Sequence, residues 1–250
     1  MARDNAAMSL TLKSGYEIGA QVADDPIIWV FDDFVTEVER EHVVEIAARR
    51  MGEAKVSKFG ANTRSEKRTG SVAWVKHDQT PIVRGLVKRV SDLVGVPANH
   101  SESLQVIHYA ETQEYRPHYD AWDINTPKGR EKTAIGGNRA VTALMYLNEV
   151  GDGGGTSFPN LGVEVEAIPG RMVIFHDLYP GQSERHVDSL HGGTPVIDGE
   201  KWACNLWFRE SRYQKRAPAT VKGRSGGGRS GQAGNRPNRK AQRASRKKNR

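Results

Sequence analysis

The sequence predicts a mainly β (α+β) domain, an antiparallel sandwich or barrel with two N-terminal helices packed on its outside. Three observations carry this expectation. Before Pro97 the apolar residues recur at helical spacing, while beyond it five short runs (104–109, 140–147, 163–168, 172–176 and 201–209) follow period two or are rich in β-branched and aromatic residues. Turn-forming pairs, Pro169-Gly170 and Asp198-Gly199, punctuate the later runs. Helices first and strands after is the order of an α+β chain whose sheets close on one another.

Residues 1–26 show little periodicity and read as an N-terminal arm with one strand around residues 16–22. Thr36-Glu-Val-Glu39 is a capping box, in which hydroxyl and carboxylate each satisfy the other residue's free N–H. Val43, Ile46 and Ala47 then share a face until Gly52. The second helix opens at Thr80-Pro81, where the missing N–H of proline has no helical partner to lose. It carries Ile82, Val83, Leu86, Val87, Val90, Leu93 and Val94 as one stripe and stops at Gly95. Val163, Val165 and Ala167 alternate with Glu164 and Glu166, so this run and the next read as a hairpin through Pro169-Gly170 with one wet face. Residues 27–213 are expected to form one domain. Residues 214–250, rich in Arg, Lys, Gly and Ser, bury too little to offset ordering entropy and are expected to be a disordered tail.

Charge divides the same way. The 250-residue chain has a formal net charge of +7, but residues 215–250 hold 13 Lys/Arg and no acid, leaving 24 basic against 30 acidic residues upstream. The body is therefore acidic, and any affinity for polyanions resides in the tail. Cys204 is the one cysteine, which rules out an intrachain disulfide and a thiolate metal cluster. With no signal-peptide pattern in the first thirty residues and no apolar stretch of membrane-spanning length, a cytoplasmic location is expected.

The chemistry concentrates at Tyr115-Arg-Pro-His118-Tyr-Asp120. On an extended strand, residues i and i+2 share a face, so His118 and Asp120 can offer an imidazole and a carboxylate to one ion. His191 lies 71 residues beyond Asp120, before a strand pair that can return it to the same place. Two histidines and a carboxylate cover one face of an octahedral iron(II) and leave the other positions open. Chance alone would give about 0.4 His-X-Asp triplets in this composition. The chain has two, but His186-Val-Asp188 has only His191 downstream, on its own local segment, and makes the weaker pair. His108, His176 and His186 read as packing or surface histidines. Lys201 follows His191 by ten residues across Asp198-Gly199, and pairing through that turn would carry its ammonium toward the metal cavity to hold an anion.

With these motifs in order, the chain resembles the prolyl 4-hydroxylases among the 2-oxoglutarate dioxygenases. The resemblance runs from about residue 70 to 209. It rests on His118-Tyr-Asp120, Gly136-Gly-Asn-Arg139, Leu144-Met-Tyr-Leu-Asn148, Gly154-Gly-Thr-Ser-Phe-Pro-Asn160 and the stretch from Ser189 through His191 to Lys201-Trp202. It implies a double-stranded β-helix (jelly-roll) core with His118, Asp120 and His191 as iron ligands. Lys201 would pair with the distal carboxylate of 2-oxoglutarate, assisted by Tyr109 and Thr156. The cofactor and cosubstrates would be Fe(II), 2-oxoglutarate and O2, with ascorbate as reductant, and the substrate a proline-containing peptide. Arg139, Tyr115 and Trp207 match positions lining the peptide groove, and residues 53–75 match a mobile lid. The chain departs at Arg209, often histidine in the family, and at Asn138, commonly glutamine.

Rival readings keep the jelly roll but change its use: the same chemistry on a nucleic-acid-associated protein such as a ribosomal one, a nucleic-acid dealkylase, or a lectin-like binding module. Dealkylases of this superfamily resemble the chain in the His-X-Asp pair but hold 2-oxoglutarate with arginine, so Lys201 weighs against them.

Overall fold

In the computed structural model, which describes residues 10–57 and 70–214, the β-rich runs form two facing antiparallel sheets with helices against the outer side of the larger one. Along the chain come β1 (Ala20–Asp24), β2 (Ile27–Phe31), α1 (Glu37–Ser57), β3 (Ser71–Val75), α2 (Pro81–Val94), β4 (Leu104–Tyr109) and β5 (Tyr115–His118). They are followed by α3 (Pro127–Thr133), β6 (Arg139–Tyr146), β7 (Asp152–Gly153), β8 (Thr156–Phe158), β9 (Val163–Val165) and β10 (Met172–His176). The chain then makes β11 (His191–Gly193), β12 (Val196–Asp198) and β13 (Lys201–Arg209). The major sheet runs β1-β2-β10-β6-β13-β4-β3, the minor sheet β5-β11-β8-β9, and β12 pairs with β7. This is the double-stranded β-helix expected, with its supporting helices.

Alternation along each strand sorts its side chains into two cores. On β10, Met172 and Ile174 point toward α1 and α2, joining Val43, Ala47, Val83, Leu86 and Val90. Val173 and Phe175 point between the sheets, joining Ile107, Tyr109, Leu144, Tyr146, Phe158 and Val165. Phe158 and Phe175 meet edge to face across that interior at 5.2 Å. Strands β6, β10 and β13 are buried on both faces, which explains their near-continuous apolar sequences.

The caps form as read: Thr36 N–H donates to Glu39 Oε2 at 3.0 Å, Thr80 Oγ1 accepts from Val83 N–H at 3.2 Å, and Gly95 closes α2 at φ 78°. Gly52 does not end α1, which continues to Ser57. A glycine stops a helix when its backbone turns left-handed; inside a helix it merely costs about 1 kcal/mol.

Both expected hairpins are replaced by crossings between sheets. β9 pairs with β8, whereas β10 pairs with β2 and β6, so Pro169-Gly170 carries the chain from the minor to the major sheet. β12 pairs with β7 while β13 pairs with β4 and β6, so Asp198-Gly199 carries the chain from that two-stranded pair into the major sheet. Strands buried on both faces need two neighbours, and their sequence neighbours are too short and too polar to supply them. The arm is drawn in from Tyr16, whose ring meets Trp29 and Phe31 edge-on, and β1 pairs with β2. Residues 58–69 of the expected lid and the basic tail from 215 lie outside the described residues. No described helix is long and apolar enough to cross a membrane.

Candidate metal and cosubstrate site

β5 and β11 run antiparallel in a register that sets His118 opposite His191, with ring centroids 4.5 Å apart. Asp120 follows just past the end of β5. Its Oδ1 lies 3.5 Å from His118 Nε2 and its Oδ2 3.5 Å from His191 Nε2. One ligand atom from each of the three falls within 4.8 Å of the others, and among the described residues this is the one such group of three able to hold a metal ion.

The protonation pattern fits a cation. His118 Nδ1 lies 3.1 Å from the Arg116 carbonyl and His191 Nδ1 2.9 Å from the Ser189 carbonyl. A carbonyl only accepts, so each Nδ1 carries a proton and Nε2 is the ring nitrogen turned to the shared site. Burial lowers the His191 pKa to about 4, keeping the ring neutral. Burial alone would raise the Asp120 pKa, but His191, His118 and Arg139 together hold the carboxyl well below its ordinary range. Two imidazole nitrogens and a carboxylate are a donor set that suits iron(II). Packing fixes the rings: Tyr115 stacks on His118 at 3.6 Å, and Phe175 lies 4.5 Å from His191.

Asp120 is itself oriented from the major sheet. Its Oδ2 accepts from Trp207 Nε1 at 2.7 Å and from Thr142 Oγ1 at 2.9 Å. Trp207, expected among the residues lining the peptide groove, is 2% exposed, with its indole N–H turned to the carboxylate. Two residues back along β13, Asn205 shares its face, and β13 begins with Lys201, the second key group.

Lys201 is the register partner of Tyr109 across the β13–β4 pair, so their side chains share a face. A Cβ placed on Gly193 would come within 3.8 Å of Lys201 Nζ, and Gly193 lies two residues beyond His191 on the same face of β11. The ammonium thus stands beside the strand that carries His191, the third member of the group able to hold a metal ion. It is 2% exposed, donates to the Gly155 carbonyl at 3.4 Å, and has no carboxylate within ion-pair distance among the described residues. Burial pulls its pKa down to about 7, with Glu164 acting in the opposite direction. Thr194, whose N–H donates to the same carbonyl, buries its Oγ1 without a hydrogen-bond partner among the described residues. A buried cation with unfilled hydrogen-bonding capacity around it fits an anionic cosubstrate. Thr156 Oγ1 lies 2.7 Å from Tyr146 OH, and a tyrosine embedded in an apolar run gave no sequence signal for that contact.

Arg139 grips Glu102 with Nε and Nη2 at 2.8 and 3.0 Å, donates through Nη1 to the Asp120 carbonyl, and lies 3.6 Å over the Trp207 ring. Arg209 shares Glu102 at 2.9 Å and spends Nη1 on the carbonyls of Lys132 and Gly137. Asn138 is fully buried with both ends of its amide bonded, joining Trp122 to Ser183. The two departures noted in the sequence are thus internal braces behind the site. His186 and His108 pair with Asp25 and Glu200, and buried His176 faces away.

Fold and site together define a 2-oxoglutarate- and iron(II)-dependent oxygenase, and the family model of the 2OG-Fe(II) oxygenase superfamily matches residues 104–209, β4 through β13. Probable prolyl 4-hydroxylase 3 of Arabidopsis thaliana is 31% identical over 213 residues, 76% of this chain and 71% of that protein. Prolyl 4-hydroxylase subunit alpha-1 of Gallus gallus is 32% identical over 79% of this chain and 38% of its own length. The crystal structure of the viral collagen prolyl hydroxylase of Paramecium Bursaria Chlorella virus-1, as its 2OG complex, superposes with a TM-score of 0.59 at 25% identity, covering 75% of this chain and 98% of that one. The chain belongs to the prolyl 4-hydroxylase family. It is accordingly a dioxygenase that uses Fe(II), 2-oxoglutarate and O2, and neither the dealkylase nor the lectin-like reading is favoured.

Proposed function

We propose that the protein hydroxylates prolyl residues of a peptide substrate at ring carbon 4, forming succinate and CO2 as coproducts. The observation that carries this is the juxtaposition of His191 on β11, which completes a facing triad, with the buried Lys201 ammonium on β13, which has no carboxylate within ion-pair distance among the described residues. His118 and His191 would hold iron(II) through Nε2, and Asp120 through a carboxylate oxygen. When bound, iron(II) supplies the O2 activation that couples oxidative decarboxylation of 2-oxoglutarate to insertion of oxygen at a C–H bond.

The chain's own groups bind, orient and exclude. Lys201 would neutralise the distal carboxylate of 2-oxoglutarate, with Tyr109 and Thr156 beside it. Val165, Phe158 and Phe175 line the interior between the sheets and keep water out, which strengthens the ion pair. Tyr115, partly exposed over His118, would meet the substrate proline, and Arg139, with its guanidinium stacked on the Trp207 and Trp122 rings, would contribute to the peptide groove. Relatives named prolyl 4-hydroxylases support the choice of proline.

The same reading includes a reducing, cytoplasmic setting, supported by the single buried thiol of Cys204. It also includes nonspecific contact of residues 215–250 with nucleic acid, supported by their 13 cations and lack of acids. Retention on a nucleic-acid column that falls steeply with salt, and is lost on deleting those residues, would bear out that contact.

The deciding experiment incubates proline-containing peptides with the protein, Fe(II), ascorbate and 2-oxoglutarate. One oxygen atom added to proline, located by fragment mass spectrometry and matched by succinate, is the expected result. Oxygen on another residue type, or none on any peptide, would refute the substrate assignment.

A further inference from the structure

A second carboxyl group stands behind the metal carboxylate. Asp177, just past β10, is completely buried. Its Oδ2 lies 2.8 Å from Thr142 Oγ1, and that hydroxyl lies 2.9 Å from Asp120 Oδ2. A hydroxyl has one hydrogen to give. If both carboxyls were ionised, one of these short contacts would be oxygen against oxygen with no proton between them. One carboxyl must therefore donate to Thr142 while the other accepts from it.

The surroundings decide which. Asp120 already accepts the Trp207 N–H at 2.7 Å and lies near His118, His191 and Arg139. The Asp177 Oδ1 is buried without a hydrogen-bond partner, and Thr142 is the one side chain bonded to its carboxyl among the described residues. Stabilisation of negative charge thus converges on Asp120.

We propose that Asp177 is a neutral carboxylic acid that donates to Thr142, so that Thr142 donates to Asp120 Oδ2 and leaves Asp120 Oδ1 as the oxygen turned to the metal. Burial and then the charge of Asp120 push the Asp177 pKa well above the carboxylate range, against the pull of Thr142 and Arg139. Asp177 is a positioning residue: it touches neither metal nor cosubstrate, and acts by fixing the direction of one hydroxyl. This inference rests on Asp120 being a metal ligand.

Two measurements on the full-length chain test it. Infrared difference spectra of the metal-free protein at neutral pH should show a carboxylic-acid C=O band that Asp177→Asn removes. No such band in the unsubstituted protein would overturn the proposal. Asp177→Val, which cannot donate, should weaken Fe(II) binding about tenfold or more, while Asp177→Asn, whose amide N–H can replace the acid proton, should stay within about threefold. Equal weakening in both variants would overturn the directional role. Should Asp177→Val fail to fold, the infrared comparison and the asparagine variant still decide. Failure of the unsubstituted protein to bind Fe(II) would instead refute the metal-site reading and leave the infrared result standing by itself.

Discussion

Gly192 sits between its backbone neighbours so closely that a Cβ there would lie 2.9 Å from the carbonyl oxygen of Tyr115. That close approach lets β11 lie against β5 with His191 facing His118. Gly192→Ala should force the strands apart, costing about 1 to 3 kcal/mol of stability and weakening Fe(II) binding. Chemical denaturation and metal titration check both effects. Unchanged metal affinity would mean that the strand register does not set the site.

Trp207→Phe keeps the ring over Arg139 but removes the N–H that Asp120 Oδ2 accepts. Fe(II) affinity should fall about tenfold with the fold retained, as for other groups that orient a ligating side chain. Circular dichroism beside Mn(II) or Fe(II) titration separates loss of orientation from loss of structure.

Lys201 should make 2-oxoglutarate binding depend on pH. Its pKa in the free protein, about 7, lies below the ordinary lysine value because of burial. Between there and the unfolded value, the unfolded chain binds more protons, so stability without ligand rises with pH over that window. An anion selects the charged lysine. Binding of 2-oxoglutarate should therefore take up a proton above pH 7 and weaken by up to about tenfold per pH unit. Calorimetry in buffers of different ionisation enthalpy reads this uptake directly, and Lys201→Met should abolish it.

Glu102 is the shared counter-charge for Arg139 and Arg209. Burial would raise its pKa, but the two guanidiniums hold it below the usual glutamate value. Its contribution to stability should therefore be present above the unfolded pKa and be lost as pH falls through the lower folded one. Glu102→Gln leaves two buried cations without that partner and should cost about 3 to 5 kcal/mol. Urea unfolding across acidic and neutral pH checks both the size and the pH window.

Much of this was legible in the sequence, for identifiable reasons. The stripe of α2, the Thr36–Glu39 box and the apolar, β-rich runs of β4 and β13 are local patterns, and local patterns survive folding. The proximity of His118 and Asp120 was legible because an i, i+2 spacing needs only an extended backbone. Strand partners were not: Pro169-Gly170 and Asp198-Gly199 look like hairpin turns, and only the demand of β10 and β13 for two neighbours each turns them into crossings between sheets. Nor could spacing distinguish a groove-lining Trp207 from one facing inward, or single out Asp177 and Thr142, whose significance lies in a contact between residues 35 positions apart.

The most direct test of the central assignment is anaerobic addition of Fe(II) and 2-oxoglutarate, followed by the visible charge-transfer absorption of a keto acid chelated to iron(II). The unsubstituted protein should develop that absorption and saturate with iron. His118→Ala and His191→Ala should fail to develop it, and Lys201→Met should require far more 2-oxoglutarate. Undiminished absorption and iron affinity in His191→Ala would contradict the assignment of these three side chains to the metal.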